Sequence, residues 1–257
     1  ELPLVVKPDV GERGAGVRVV RRPAELHAAL AAARGDLIVQ EHVPGEEFGV
    51  FWLRRPGSPR GEIFSITIKR LPEVVGDGRR TLEELILDDP RACAIADSYL
   101  EANASRAAER IPEGQRVRLV ELGTHCRGAV FLDGRHLRTP ALEDAFERIA
   151  GGVPGFDLGR FDVRAPSEQA LREGRDIKIL ELNGVTSEAA HIYDPELSLS
   201  SAWRTLCEQW RLAYRIGAYR RGLGHRPLSA AALLRLLVTR EAPPSSRARG
   251  SLGPESP

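Results

Sequence analysis

The chain has 257 residues, 42% of them hydrophobic and 28% charged, which describes an ordinary globular protein of one large domain or two small ones and excludes disorder as its main state. Lys+Arg at 37 against Asp+Glu at 36 leaves a formal charge of +1, so no global field exists to hold nucleic acid or an anionic membrane. No run of about 18 apolar residues spans a bilayer. The three cysteines, Cys93, Cys126 and Cys207, form no CxxC pair, which argues against a zinc site or disulfide framework and for a reducing cytoplasm.

In chain order, residues 2–8 predict a buried strand ending at Lys7-Pro8. The glycine-rich stretch Gly11 to Gly16 and the β-branched run Val17 to Val20 complete a hairpin with a mobile tip. Pro23 opens a helix closed by Gly35. Residues 37–40 and 47–54 read as strands, and 62–69 alternates, with Phe64, Ile66 and Ile68 on one face and Ser65, Thr67 and Lys69 on the other. Asp77-Gly78 is a turn, and Thr81 caps a helix with Glu84 at capping-box spacing. Pro90 opens a longer helix to about Arg110. Residues 115–121 form a strand, 129–132 a short return, and 140–150 a helix. Two late strands, 158–163 and 177–182, flank a helix over 166–174. A long amphipathic helix follows from Leu197 to about Arg221, with Trp203, Leu206, Trp210 and Tyr214 predicted to pack on the sheet; a homodimer interface is the other use for that stripe. Beyond Pro243 the composition predicts a disordered tail. The class is α+β with largely antiparallel sheets. The chain contains no Met and opens directly on an apolar run, as expected of a piece of something longer.

Chemistry concentrates in the late strands. Alternation puts Arg160, Asp162 and Arg164 on one face, and Glu181 with Asn183 on one face of the neighbour. Asp162, Glu181 and Asn183 then make a patch of hard oxygen ligands suited to magnesium beside phosphate. The same residues also read as a salt-bridged pair of strand ends, Arg160 or Arg164 against Glu181. Only three of the 37 basic residues are lysine: Lys7, Lys69 and Lys178. Lys7 precedes the glycine-rich hairpin, an arrangement able to hold phosphate, although neither a Walker A loop nor a dinucleotide fingerprint is present. In 40–47, Gln-Glu-His-Val-Pro-Gly-Glu-Glu, a strand ends in irregular backbone whose exposed groups can read an adenine edge, or the stretch is a solvated acidic turn.

The order Lys7, glycine-rich hairpin, Gln40-Glu41-His42-Val43-x-Gly45-x-Glu47, Lys69, Asp162, Glu181-x-Asn183 resembles the ATP-grasp superfamily over roughly residues 1–195. The segment from Arg70 to Ile86 is similar to one found in cyanophycin synthetases and bifunctional glutathione synthetases. The resemblance implies two α+β subdomains clasping ATP: a partial nucleotide-binding part over 1–53 and a catalytic, metal-binding part over 54–195. A packing helix over 196–225 and an extension over 226–257 follow, and the preceding N-terminal α/β domain of the family is absent. It further implies an ATP-dependent ligase that activates a carboxylate as an acyl-phosphate for attack by an amine. A non-catalytic nucleotide-binding domain and a phosphotransferase are the alternatives.

By the same resemblance, Lys7 and Lys69 contact phosphates, and Gly11, Gly14 and Gly16 fold over them. Gln40 faces the adenine amino group, Glu41 to Val43 supply backbone contacts, and Glu47 holds the ribose. Asp162, Glu181 and Asn183 bind magnesium, with manganese as an alternate, and Arg160 stabilises the transferring phosphoryl group. His125 and Arg127 are substrate candidates for small carboxylates and amines such as amino acids or peptides. His191, Tyr193 and Asp194 are candidates for the acceptor side. The run Gly184-Val185-Thr186-Ser187 departs from the Pro-Gly turn of D-alanine–D-alanine ligases, which argues against a dipeptide product of that kind.

Overall fold

The computed structural model describes residues 1–9, 15–120 and 128–239. It divides into two compact units, residues 1–216 and 217–257.

The first unit opens with a three-stranded antiparallel sheet in the order β2-β1-β3, made of β1 (Leu4–Pro8), β2 (Arg18–Val20) and β3 (Leu37–Glu41). Helix α1 (Pro23–Ala31) connects β2 to β3 and begins on Pro23, whose fixed φ and missing N–H suit a first turn. Val6, Val20 and Ala29 are its small core.

A five-stranded antiparallel sheet in the order β10-β9-β4-β5-β8 holds the candidate site. Its strands are β4 (Glu46–Leu53), β5 (Glu62–Arg70), β8 (Val130–Asp133), β9 (Leu158–Ala165) and β10 (Lys178–Asn183). A boundary at residue 53 would split β4 from β5, which pair from Glu47↔Lys69 to Leu53↔Glu62; the change of sheet falls between β3 and β4. Central β4 is buried from Phe48 through Leu53, as expected of a strand covered on both faces. On one face Phe48, Val50, Trp52, Ile63, Ile66, Phe161 and Val163 pack under α5 (Pro140–Gly151) and α6 (Glu168–Arg172). Each fully buried side chain there contributes roughly 2–3 kcal/mol.

Two register shifts alter the simple alternation. One lies at Phe51/Trp52, where Phe51 pairs with Ser65 and Trp52 with Ile63. The extra residue is Phe64, so Ile63 joins Ile66 and Ile68 while Phe64 turns to the other face, its ring 5.6 Å from that of Phe51. The expected grouping of Phe64 with Ile66 and Ile68 is thus corrected by a β-bulge, which a period-two reading has no means to count. The second shift lies at Leu180 in β10.

Residues 71–120 make a satellite with its own core of Val74, Leu82, Ile86, Tyr99, Ile111 and Val117. It contains β6 (Glu73–Val75), β7 (Arg116–Arg118), α2 (Leu82–Asp88), α3 (Pro90–Cys93) and α4 (Ala96–Ala102). β7 pairs with β6, whereas the return strand β8 joins β5 in the large sheet. The single helix expected from Pro90 to Arg110 is two short ones, interrupted at Ala94–Ile95. Thr81 does form the capping box: its Oγ1 accepts from Glu84 N–H at 3.2 Å and Glu84 Oε2 accepts from Thr81 N–H at 2.7 Å.

Helix α7 (Leu199–Gly222) turns a face other than the expected one inward. Gln209, Leu212 and Ile216 are buried, the last two against Phe51, Leu53 and Leu158, whereas Trp203, Trp210 and Tyr214 are 61%, 54% and 77% exposed. The smaller Ala/Leu/Ile side fits the flat sheet, and the aromatic stripe looks outward. In the second unit, α8 (Ala230–Thr239) lies where a mostly disordered extension was expected; Ser229 Oγ caps it by accepting from Ala232 N–H at 3.1 Å. No helix among the described residues is long and apolar enough to cross a membrane.

Candidate functional site

The face of the large sheet opposite α5 carries the predicted residues in register. Lys69, Glu47 and Arg164 occupy one row across β5, β4 and β9. Thr67, Gly49, Asp162 and Glu181 form the next, across β5, β4, β9 and β10. Below them come Ser65, Phe51, Arg160 and Asn183. The bulge at Leu180 is what sets Glu181 opposite Asp162 and Asn183 opposite Arg160.

These side chains form a continuous chain of alternating charge. Arg164 Nη2 lies 3.3 Å from Glu47 Oε2, and Glu47 Oε1 lies 3.0 Å from Lys69 Nζ. Lys69 Nζ continues to Asp162 Oδ1 at 3.2 Å, and Asp162 Oδ1 accepts from Arg160 Nε at 2.9 Å. Three cations thus enclose two carboxylates, and all five side chains are at most 18% exposed. Burying such groups is costly unless each is paired. The ion chain by itself carries one surplus positive charge, and Glu181, in the row of Asp162, adds a carboxylate to the exposed end of the same face. Lys69 also stands 5.9 Å from the centre of the Phe131 ring.

Two glycines shape the face. Gly49 sits at its centre, where a Cβ would come within 3.1 Å of Arg160 Cδ and 3.4 Å of Asp162 Oδ1, so the absent side chain leaves the floor open. Gly45 has φ +115, and a Cβ there would lie 2.4 Å from the Ala165 carbonyl oxygen. That turn delivers the chain from β3 into β4 and sets Glu47 on the floor.

The other expected residues are distributed as follows. Lys7 extends from β1 toward β10, its Nζ 3.5 Å from the carbonyl oxygen of Leu180, so it approaches the strand of Glu181 and Asn183. Gln40, next to last in β3, is half-buried. The Val43 carbonyl, one of the expected backbone contacts, accepts from Arg164 Nη1 at 2.5 Å. Glu41 is exposed, and Gly16 precedes β2. Gly11, Gly14, His125 and Arg127 lie outside the described residues. Glu47 is engaged with Lys69 and Arg164 in this arrangement.

For a metal, Asp162 Oδ2 accepts from Asn183 Nδ2 at 3.2 Å, and Glu181 is the exposed register partner of Asp162. Among the described residues no three His, Cys, Asp or Glu side chains converge on a cation site. Two carboxylates and an amide do fit magnesium that arrives with phosphate oxygens and water, which is how that ion is ordinarily held. They do not make a self-sufficient cage. The ion pairs of Arg160 and Arg164 run to Asp162 and Glu47.

The loop after β10 borders this face, and here the sequence reading missed the residue that fixes it. Gln209 of α7, 2% exposed, accepts from Ala189 N–H at 2.9 Å through Oε1 and donates to the Ser187 carbonyl at 2.8 Å through Nε2. A lone glutamine among Ala202, Leu206, Leu212 and Ile216 was the available signal. Arg160 Nη1 donates to the Glu188 carbonyl at 3.0 Å, and Tyr193 Oη donates to Glu188 Oε1 at 2.7 Å. Burial and that bond push the Tyr193 hydroxyl up to about 12. His191 is buried in the turn 190–193, which lowers its pKa despite Asp133 and Asp194 nearby. Asp194 accepts from the N–H groups of Asp133 at 2.7 Å and Glu196 at 2.8 Å.

A cavity of about 600 Å³ adjoins the first row and is lined in part by Glu47, Lys69, Arg70, Arg91, Arg118 and Arg164. Its lining is of mixed charge, because Glu46, Glu73 and Asp89 also border it.

No family model matches the chain. No curated protein matches it either. Among solved structures it is similar to a bifunctional glutathione synthetase from Pasteurella multocida, at 18% identity and a TM-score of 0.45, over 81% of this chain and 30% of that one. An L-amino acid ligase from Bacillus licheniformis gives 16% identity and a TM-score of 0.37, over 75% and 34%. The D-alanine–D-alanine ligase from Bacillus anthracis complexed with ATP gives 13% and 0.37, over 93% and 55%. The chain therefore spans between 30% and 55% of the length of these proteins. At such TM-scores the likeness by itself carries no chemistry; side-chain arrangement must.

Proposed function

We propose that this chain is the ATP-binding and catalytic portion of an ATP- and magnesium-dependent carboxylate–amine ligase. The observation that carries the reading is the buried ion chain Arg164–Glu47–Lys69–Asp162–Arg160, with its surplus cation beside the Asp162–Asn183 pair. Such a face suits a polyphosphate whose charge must be met at several oxygens at once.

In this reading Lys69, and Lys7 from the facing sheet, hold phosphate oxygens. Phosphate arriving at Lys69 competes for it with Glu47, which frees that carboxylate for the ribose hydroxyls. Gln40 and the backbone of 41–43 meet the base. Arg160 sits at the end of the ion chain, where it stabilises the phosphoryl group in transfer and the oxyanion formed at the acyl carbon. Asp162, Glu181 and Asn183 would hold magnesium, which when bound neutralises phosphate charge and orients the transfer. A carboxylate is a poor electrophile; its conversion to an acyl-phosphate gives the amine a leaving group to displace. The cavity beside Lys69, lined by both basic and acidic side chains, suits small molecules that carry both charges, such as amino acids or peptides.

The test is thermal unfolding with ATP, with magnesium, and with both, on wild type and Glu181→Gln. A ligand that binds only the folded state raises the melting temperature. A magnesium-dependent rise with ATP that the variant blunts is the expected result. A wild-type protein indifferent to ATP and magnesium together would sink the reading.

A further inference from the structure

The buried ion chain, with three cations to two carboxylates, suits ATP and an activated acid, but it offers no group to hold the other reactant. Amines of amino acids are ammonium ions near neutral pH and must both approach this face and lose a proton there. A carboxylate at its edge other than Glu181, which the ligase reading gives to magnesium, would attract them.

Glu188 stands at that edge, held by four tethers. Gln209 fixes the peptide groups on either side, at Ser187 and Ala189. Arg160, itself the last member of the ion chain, holds the Glu188 carbonyl, and Tyr193 holds one carboxylate oxygen. The backbone of Glu188 is thus anchored to the same guanidinium that binds Asp162, while its side chain stays half-buried and reachable. Of the three residues considered for the acceptor side, His191 is buried and Asp194 is engaged with two backbone N–H groups. Tyr193 remains, and it is the residue that orients Glu188. Three of these bonds fix the backbone and one orients the carboxylate, which is how a preorganised binding group is held.

We propose that Glu188, positioned by Tyr193, is the subsite for the primary ammonium group of the acceptor substrate and takes its proton; this rests on the ligase reading above. The ammonium docks on the Glu188 carboxylate and transfers one proton to it. The freed lone pair attacks the acyl carbon, the C–N bond forms, and the C–O bond to phosphate breaks with its electron pair. The nitrogen loses its second proton to the departing phosphate.

Hydroxylamine separates this proposal from the reading beneath it, because it is uncharged near neutral pH and needs neither attraction nor a base. Wild type, Glu188→Gln and Tyr193→Phe are given ATP, magnesium and a mixture of the standard L-amino acids. Hydroxamate formation with added hydroxylamine and amide formation without it are then measured. The proposal expects Glu188→Gln to keep wild-type hydroxamate formation while amide formation falls by roughly a hundredfold or more. Tyr193→Phe should raise the KM for the amine about tenfold and leave hydroxamate formation unchanged. Amide formation that survives in Glu188→Gln, with hydroxamate also intact, overturns the proposal and leaves the ligase reading standing. Loss of both products in Glu188→Gln, with Tyr193→Phe indistinguishable from wild type, makes the loop structural and also overturns it. No hydroxamate from wild type removes both.

Discussion

Lys69 and Glu47 face each other as register partners on adjacent strands, and their charged atoms meet at 3.0 Å with both side chains nearly buried. Lys69 is the middle member of the five-member ion chain, and it also reaches Asp162 at 3.2 Å. A cation shared by two buried carboxylates is structural before any ligand arrives.

Lys69→Ala should therefore lower stability by about 3 kcal/mol, because two buried carboxylates lose their common partner. Urea denaturation measures this directly. The variant should also lose its response to ATP. A fully stable Lys69→Ala would mean that the carboxylates find other partners.

Asp162→Asn should be gentler on the fold and severe on chemistry. Asparagine still accepts a hydrogen bond, and Lys69 keeps Glu47. ATP turnover should fall to background while the melting temperature drops less than in Lys69→Ala. Equal thermal losses would contradict that ordering.

The fold was legible wherever a local rule acted alone. The Thr81 capping box, the β1–β2 hairpin, and the shared face of Arg160, Asp162 and Arg164 follow from spacing of a few residues. Bulges escaped that reading: Phe64 changed faces because β5 carries one residue more than its partner opposite Phe51 and Trp52. The inner side of α7 escaped it for another reason. Trp203, Trp210 and Tyr214 are the most hydrophobic-looking stripe, but shape decided, and the smaller Leu212 and Ile216 meet the sheet. Of the candidate site, the residues proposed for phosphate and metal came from motif order, whereas Glu188 and Gln209 depend on tertiary contacts that no spacing encodes.

Thr81→Ala removes an N-cap and should cost about 1 kcal/mol of stability. The cap lies in the satellite around Val74 and Tyr99, away from the ion chain. Unfolding should shift while the ATP-dependent change in melting temperature does not.

His191 provides a pH signature. Burial, the largest cause, holds its pKa below the ordinary value of 6.5, with Asp133 opposing. Below about pH 6.5 the unfolded chain takes up a proton that the folded chain refuses until its own lower pKa is reached. Stability from this group is thus complete above that pH and declines as pH falls through the interval. Denaturation midpoints measured through this range should fall on acidification, and His191→Gln should flatten the slope.

Gln209→Leu leaves the Ser187 carbonyl and the Ala189 N–H without their buried partner, which should cost about 1–3 kcal/mol. Hydrogen exchange should quicken at Ala189 in particular. An unchanged exchange rate there would show that the loop is held by its other contacts.

The bulge at Leu180 has a consequence for how copies of this chain behave together. β10 is an outer strand of the large sheet among the described residues, and Ile179 and Leu182 on it are 42% and 37% exposed. A straight strand of that composition is a template on which a second molecule can lay its own backbone. The extra residue breaks the even spacing of donors and acceptors, and Lys7 lies beside the Leu180 carbonyl. The irregularity that lines up Glu181 with Asp162 also guards the sheet against growth at its edge, so straightening β10 would invite aggregation as well as move Glu181 out of line with Asp162.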